Sequence, residues 1–258
     1  MMDHFPAIDI LPSRDAVAAY TAGLVIDGLV SGRVTTLGLA TGATMVQVYA
    51  RLVAAYMAGA VSFRAVTTFN LDEYLGVEPT APGSFRAFMG RCLFDRVDIE
   101  PARIHVLDGL ARDSVIECAR YENRIRQTGG IGLQLLGIGT NGHIGFNEPG
   151  SDFASRTREI GLTDGTRAAN AAFFAAPAEV PRHALTMGIG TILQAREILL
   201  VAIGALKADA VNAAVFGPIS TDCPASALRL HPCVRIICDA AAAPHITGHR
   251  AAPIGRVT

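Results

Sequence analysis

Short apolar runs alternate with longer amphipathic stretches along most of this chain, and this alternation limits the folds open to it more than any other feature. The short runs are rich in leucine and β-branched residues, and in the longer stretches apolar residues recur every three or four positions. Such a pattern is typical of strands joined by crossover helices around a parallel sheet. The run ILLVAIG is apolar up to its closing glycine, so we expect helices on both faces of that sheet.

The periodicity predicts six strands, five helices and an α/β fold in a single domain over residues 1–258. The strands are predicted at 34–39, 65–69, 104–107, 133–138, 198–203 and 234–238, and the helices at about 13–30, 44–58, 84–95, 113–127 and 206–215. The sheet is predicted to be mainly parallel. The last stretch, 240–258, has no clear periodicity and is predicted to be a loosely attached tail.

Composition excludes several classes of protein. The chain is 50% hydrophobic and 17% charged with a formal net charge of -1, so no broad positive field exists to bind nucleic acid. Polar and charged residues interrupt the first positions, and no charge-free run reaches membrane-spanning length, so we expect no membrane segment and a cytoplasmic location. The five cysteines form no C-x-x-C pair, which argues against a disulfide framework and a structural zinc site.

Open parallel sheets bind ligands at the carboxyl ends of their strands, and four segments place useful side chains there. The first follows the strand at 34–39, with Thr41, Gly42, Ala43 and Thr44 at the start of a helix. Glycine lets the backbone approach a ligand, and the amides at a helix start favour an anion such as phosphate. An ordinary turn with a threonine cap is the alternative.

The second segment, TFNLDEYLGV, runs into the adjacent acids Asp72 and Glu73. Neighbouring residues on an extended backbone point to opposite sides, so one acid can face a cleft while the other faces solvent or a structural partner. A carboxylate in the cleft is a candidate base, which makes Asp72 a candidate catalytic residue. A loop aspartate that caps a turn is the alternative.

The third segment, GIGTNGHIGFNEPG, is the most informative, because glycines surround Asn141, His143 and Glu148. Such glycine density loses backbone entropy on folding unless the chain must turn tightly or approach a ligand. Histidine titrates near neutral pH, and a carboxylate in the same loop can orient it or stabilise its charged form. The company of Asn141 and Glu148 favours a catalytic role for His143 over a packing role.

The fourth segment, GALKADAVNAAVFG, places Lys207 in the first turn of a predicted helix. A cation is unfavourable at the positive end of a helix dipole unless an anion is present to receive it. The position therefore suggests a phosphate ligand, with a solvated surface lysine as the alternative.

Together these segments resemble the glucosamine-6-phosphate deaminases. LGLATGAT, TFNLDEYLG, GIGTNGHIGFNEPGSDFASRTR, ALTMGIGT, QAREILLVAIGALKA and LHPCVRIICD look like that family's successive motifs, in order, over about residues 36 to 239. The resemblance implies a modified doubly wound, Rossmann-like α/β fold. It also implies a deaminase, classed with the hydrolases, that opens the pyranose ring of glucosamine 6-phosphate, isomerises it through an enolamine and releases fructose 6-phosphate and ammonia without a metal or redox cofactor.

The resemblance assigns catalytic roles residue by residue. The proton-abstracting carboxylate falls on Asp72, the ring-opening histidine on His143 and its supporting acid on Glu148. Many relatives look like they carry aspartate where this chain has Asn141. Because asparagine can orient a histidine but cannot balance its positive charge, we expect the electrostatic role to fall on Glu148.

The phosphate end departs from the family pattern. The turn at 41–44 and Lys207 match it, but Ala172 stands where the pattern has a phosphate-binding arginine. Loss of a bidentate charge-assisted contact costs about 1.5–3 kcal/mol, so either another arginine substitutes or the substrate differs. Arg86 and Arg167 are the candidate substitutes.

Other functions stay open at this point. The substrate could be another amino sugar phosphate such as galactosamine 6-phosphate. A 6-phosphogluconolactonase is disfavoured by NEPG after the histidine, and a sugar-phosphate sensor needs a DNA-binding module for which the residues before 34–39 leave no room. The segment after Asp239 does not resemble the family's C-terminal helix, so we expect an unregulated enzyme, with a homo-oligomer as a possible state.

Overall fold

The structure, a computed structural model, describes residues 5–171, residue 174 and residues 180–246. Its strands are β1 (Ala7–Leu11), β2 (Thr36–Leu39), β3 (Thr67–Asn70), β4 (Asp72–Tyr74), β5 (Ile104–His105), β6 (Leu133–Gly137), β7 (Arg158–Gly161), β8 (His183–Thr186), β9 (Glu197–Ala202) and β10 (Val234–Asp239). Its helices are α1 (Arg14–Val30), α2 (Ala43–Met57), α3 (Phe85–Cys92), α4 (Ser114–Gln127), α5 (Asp164–Asn170), α6 (Ile189–Ile192) and α7 (Ala208–Phe216).

Seven strands form one parallel sheet in the order β1-β10-β9-β6-β2-β3-β5. The chain moves outward from β2 to β3 and β5, returns to β6 beside β2, and then moves the other way to β9 and β10. The two directions diverge between β2 and β6. The loops that follow these two strands therefore flank the crevice in which such folds bind ligands.

The predicted α/β class and mainly parallel sheet are confirmed, and each of the six predicted strands and five predicted helices is present within a few residues of its expected ends. Consecutive residues of β6 and β9 are buried, from Leu133 to Leu136 and from Ile198 to Ala202. Since neighbouring strand residues point to opposite faces, both faces of the sheet are covered.

β1 was not predicted, because Asp9 interrupts its apolar pattern. The Asp9 carboxylate is buried and accepts a hydrogen bond of 2.6 Å from the guanidinium of Arg235 on the neighbouring strand β10. This partner allows a charge to occupy a buried strand. Within the described residues the first strand therefore begins at Ala7, and not near residue 34 as the sequence suggested.

A small antiparallel sheet in the order β4-β8-β7 was also not predicted. β4 is three residues long and is separated from β3 by Leu71 alone, so its sequence resembles a loop. The Leu71 amide donates to the Leu39 carbonyl of β2 (3.0 Å), and the Leu71 carbonyl accepts from the Met187 amide (2.7 Å). These bonds fix the small sheet at the carboxyl edge of the large one.

The segment after β10 packs more closely than predicted over its first residues. Ala242, Ala243 and Ile246 are buried, and the Ala242 amide donates to the Asp239 carboxylate (2.9 Å). The loosely attached tail predicted for 240–258 thus does not hold for 240–246, and the rest of that prediction lies outside the described residues. Among the described residues, no helix has the length and apolar character needed to cross a membrane.

The central strands should dominate stability. Leu135 on β6 is fully buried, so Leu135→Ala removes methyl groups and leaves a cavity, which should lower the free energy of unfolding by about 2–5 kcal/mol. Leu206 is 83% exposed, and Leu206→Ala should change the same quantity by less than about 0.5 kcal/mol. Urea denaturation of both variants checks this, and equal losses would contradict the assignment of β6 to the core.

Candidate active site

A cleft of about 680 Å³ opens at the carboxyl edge of the large sheet. All four segments singled out in the sequence contribute to its lining, together with the starts of α3 and α5. The predicted site residues that line it are Thr41, Gly42, Ala43, Thr44, Asp72, Asn141, His143 and Lys207. Glu148 is not among the lining residues, but it contacts Asn141 and His143, as described below. The structure thus brings together every predicted catalytic and phosphate-binding residue except the two tentative arginines.

The start of α2 presents free backbone amides to the cleft. Gly42 is the N-cap residue with φ of 125°, a conformation that favours glycine, and no side chain caps the helix there. The first amides of a helix have no acceptor within the helix and lie at the positive end of its dipole. Those of Ala43 and Thr44 can therefore bind an anion.

Lys207 lies on a second turn at the same edge. It directly precedes α7 and ends a short 3₁₀ turn, rather than lying in the first turn of the α-helix as predicted. The turn begins at Gly204, whose amide donates to the Asp239 carboxylate on β10 (2.9 Å). Partial burial lowers the pKa of the Lys207 ammonium, yet it has no ion-pair partner among the described residues. An anion in the cleft would supply one.

The two arginines proposed from the sequence lie elsewhere. The Arg86 guanidinium lies 5.4 Å from the centre of the Phe94 ring, and Arg167 pairs with Asp164 (3.4 Å). Neither is among the described residues that line the cleft. Ala172, which stands where the family pattern has an arginine, lies outside the described residues.

Two other arginines, Arg14 and Arg91, do line the cleft, and sequence reasoning missed both. Arg14 begins α1 directly after β1, the strand that was not predicted. Arg91 lies in the last turn of α3 and donates to the Pro82 carbonyl (3.1 Å). With Lys207 they give the cleft three cationic side chains, which suits a phosphorylated ligand.

Asp72 is the acid that faces the cleft. The residue is 5% exposed, and burial raises its pKa to about 8, with a further contribution from the charge of Glu73. A hydrogen bond from Thr41 opposes this rise. A carboxyl group that titrates near neutral pH can both take and return a proton.

Glu73 points the other way and serves the fold. Its Oε1 accepts the amides of Tyr74 and Phe85, and its Oε2 accepts the amide of Arg86, each at 2.9 Å. Glu73 therefore caps the first turn of α3 and ties it to β4. The two adjacent acids have the separate roles that an extended backbone allows.

His143 is placed by the loop after β6. A Cβ atom at Gly139 would overlap its imidazole ring, so glycine at that position makes room for the histidine. The ring Nδ1 lies 2.8 Å from Asn141 Oδ1 and 3.6 Å from Glu148 Oε2. The loop is anchored by buried Asn147, whose amide donates to the carbonyls of Ile144 and Met187 (both 2.9 Å).

The protonation of this cluster follows from its contacts. The neighbouring His143, whose Nδ1 lies 3.6 Å away, and hydrogen bonds from Thr166 and Asn141 lower the pKa of Glu148 to about 2, so this carboxylate is ionised and can only accept. Asn141 Nδ2 donates to Glu148 Oε2 (2.7 Å), which turns Asn141 Oδ1 toward His143. His143 therefore carries a proton on Nδ1, and its Nε2 is the atom that takes or gives a proton.

This arrangement supports acid–base chemistry on a phosphorylated substrate. Asp72 and His143, whose side chains can take and give protons, line one cleft with a helix start that can bind an anion and with three cations. The family model described as glucosamine-6-phosphate isomerases/6-phosphogluconolactonase matches residues 13–235. The chain belongs to this family.

Relatives within the family are close. A glucosamine-6-phosphate deaminase of Shewanella loihica is 54% identical over 92% of this chain and 88% of its own length. The enzyme of the same name from Rhodopirellula baltica is 48% identical over 92% of this chain and 94% of its own length.

Solved structures of family members share the fold. A monomeric glucosamine-6-phosphate deaminase superposes with a TM-score of 0.89 at 41% identity, over 92% of this chain and 98% of that one. A 6-phosphogluconolactonase from Trypanosoma cruzi gives 0.77 at 21% identity, over 96% of this chain and 99% of that one. At that identity the second likeness establishes the fold alone.

Burial of Asp72 should make stability depend on pH. Folding raises its pKa from 3.8 to about 8, so its contribution to stability is lost as pH rises through that interval. Asn keeps the shape of the neutral acid and does not ionise. The melting temperature of Asp72→Asn relative to the unsubstituted protein should therefore increase between about pH 5 and pH 8, to a gain of at least about 2 °C.

Glu73→Gln is the matched control, because it makes the same change from acid to amide at the neighbouring residue. The single side-chain oxygen of glutamine cannot accept all three amides that Glu73 accepts, so one buried donor is left unsatisfied. It should lower the melting temperature at both pH values. Calorimetry at the two pH values checks both expectations, and a gain for Asp72→Asn that does not grow with pH would contradict the buried acid.

Proposed function

We propose that this protein is a glucosamine-6-phosphate deaminase, which converts glucosamine 6-phosphate and water to fructose 6-phosphate and ammonia. The observation that carries the proposal is the meeting, in one cleft, of a buried carboxylate, a histidine backed by an ionised acid and an anion-binding helix start. The proposal is also supported by the names of relatives whose sequences are 54% and 48% identical to this chain.

In this proposal the phosphate binds at the cationic end of the cleft. The amides of Ala43 and Thr44 donate to its oxygens, and Lys207 balances part of its charge. Arg14 or Arg91 supplies the charge that the family obtains from the arginine replaced by Ala172. Binding by the phosphate then orients the sugar carbons toward the catalytic groups.

His143 opens the pyranose ring. Its Nε2 takes the proton from the hydroxyl at C1 and returns it to the ring oxygen, so the C1–O5 bond breaks and an aldehyde forms. During the transfer the imidazole carries a positive charge, which the Glu148 carboxylate 3.6 Å from Nδ1 stabilises. Asn141 keeps the ring in the required tautomer.

Asp72 then moves a proton between neighbouring carbons. As the carboxylate it takes the C2 proton, the electron pair forms the C1–C2 double bond of the enolamine, and the carbonyl oxygen takes a proton from the ammonium group of the substrate. The protonated acid returns the proton to C1, leaving an iminium ion at C2. Water adds to C2 and ammonia leaves, so an isomerisation precedes a hydrolytic deamination.

Turnover tests the proposal directly. The purified protein with glucosamine 6-phosphate should release ammonia and fructose 6-phosphate in equal amounts, and kcat/KM should rise as pH increases through about 8, because only the ionised Asp72 can take the C2 proton. Asp72→Asn should lower kcat at least a hundredfold while remaining folded. Undiminished ammonia release by that variant would overturn the role of Asp72.

A related substrate is the second candidate, because Ala172 replaces the family's phosphate-binding arginine. Galactosamine 6-phosphate supplied at equal concentration distinguishes the two. The cytoplasmic location and the homo-oligomer expected from the sequence stay predictions.

Lys207 should act on binding more than on chemistry. Lys207→Ala removes a charge-assisted contact to phosphate and should raise KM roughly tenfold to hundredfold with kcat changed much less. Arg86→Ala is the comparison, since its guanidinium lies over Phe94 and outside the cleft lining, and it should leave KM unchanged. A larger KM effect at Arg86 than at Lys207 would reverse the assignment of the phosphate end.

A further inference from the structure

Thr166 lies in α5 and lines the cleft, yet the reaction derived above gives it no role. Its hydroxyl donates to Glu148 Oε1 (2.5 Å) and accepts from the hydroxyl of Thr163 (3.0 Å). Thr163 is the N-cap of α5 and accepts the Thr166 amide (3.2 Å). The hydroxyl of Thr166 is therefore fixed in direction, because an ionised carboxylate offers no proton and must be the acceptor.

The two oxygens of Glu148 are divided between two elements. Oε1 accepts from Thr166 on α5, whereas Oε2 accepts from Asn141 (2.7 Å) and lies 3.6 Å from His143 Nδ1. A carboxylate held at one oxygen can turn about its last torsion, and one held at both cannot. The contact from α5 thus fixes the plane of the carboxylate, and with it the position of the oxygen that lies beside the histidine.

We propose that Thr166 is a positioning residue for His143, holding Glu148 so that Asn141 keeps its amide oxygen on Nδ1 of the histidine. The effect expected on kcat rests on the proposed function, whereas the effect expected on the tautomer of His143 rests on the hydrogen bonds alone. Four oriented groups in series, from Thr163 through Thr166 and Glu148 to Asn141, set the tautomer of the ring. Bonds in such a series polarise and strengthen one another.

Loss of the Thr166 hydroxyl should change the orientation of each later group in this series. Glu148 is then free to turn, Asn141 loses the acceptor that distinguishes its nitrogen from its oxygen, and His143 can adopt the tautomer with the proton on Nε2. In that tautomer Nε2 cannot take the proton from the sugar. The other charged groups that line the cleft, Asp72, Lys207, Arg14 and Arg91, belong to other elements and are unchanged.

Three variants test the proposal. Thr166→Val removes the hydroxyl at nearly constant volume, Thr166→Ser keeps it, and Thr128→Val repeats the same change at the end of α4, where the hydroxyl donates to the Ile125 carbonyl (2.9 Å) away from the cleft. ¹⁵N NMR of the ligand-free protein reports the tautomer of His143. Its signals among the seven histidines are identified by their loss in His143→Gln.

We expect the unsubstituted protein, Thr166→Ser and Thr128→Val to show the Nδ1-protonated ring, and Thr166→Val to show a mixture. In turnover, Thr166→Val should lower kcat roughly tenfold to hundredfold with KM changed less than about threefold. Thr166→Ser should have the kcat of the unsubstituted protein. A Thr166→Val protein that keeps the single tautomer, or a Thr166→Ser protein that loses it, overturns the proposal. If the unsubstituted protein releases no ammonia, the proposed function fails, while the tautomer measurement still decides the role of Thr166.

Discussion

The hydrogen bonds that join the small sheet to the large one determine how Asp72 meets its ligand. Leu71 bonds through its amide to β2 and through its carbonyl to Met187, so the chain has no freedom to swing between β3 and β4. Asp72, the first residue of β4, is opposite Thr186 of β8 and is held in a site with little access to water. On a mobile loop the same carboxyl group would be solvated and keep a low pKa, whereas here its burial favours the neutral form.

The site also depends on two acids whose surroundings move their pKa values in opposite directions. Asp72 Oδ1 has no hydrogen-bond partner within the described part of the chain, and its pKa rises to about 8. Glu148 is only partly buried, lies beside His143 and receives hydrogen bonds from two side chains, and its pKa falls to about 2. The first environment suits a group that must exchange protons, and the second suits a permanent charge that supports a histidine.

What the sequence could predict follows from how local each signal is. Six of the seven strands of the large sheet were predicted because their apolar runs are continuous. Asp72, His143 and Glu148 were predicted as site residues because each comes soon after one of these strands along the chain. β1 was missed because its buried Asp9 has its partner on β10, which is far along the chain. Arg14 and Arg91 reach the cleft only through the packing of α1 and α3, and no local pattern distinguishes them from surface arginines.

The fold by itself does not separate a deaminase from a lactonase, so the distinction must come from the chemistry of the side chains. Opening a lactone adds water to a carbonyl group and breaks no bond between carbon and hydrogen. Isomerising an amino sugar requires a base that takes a proton from carbon, and a carboxylate withdrawn from water is a stronger base than a solvated one.

The burial that makes Asp72 a stronger base also leaves it largely protonated before substrate arrives. An amino sugar carries a cationic nitrogen on C2, the carbon that loses the proton, and a positive charge at that distance lowers the pKa of a carboxyl group and restores its basic form. A lactone carries no such cation, so a buried Asp72 is matched to an amine-bearing substrate.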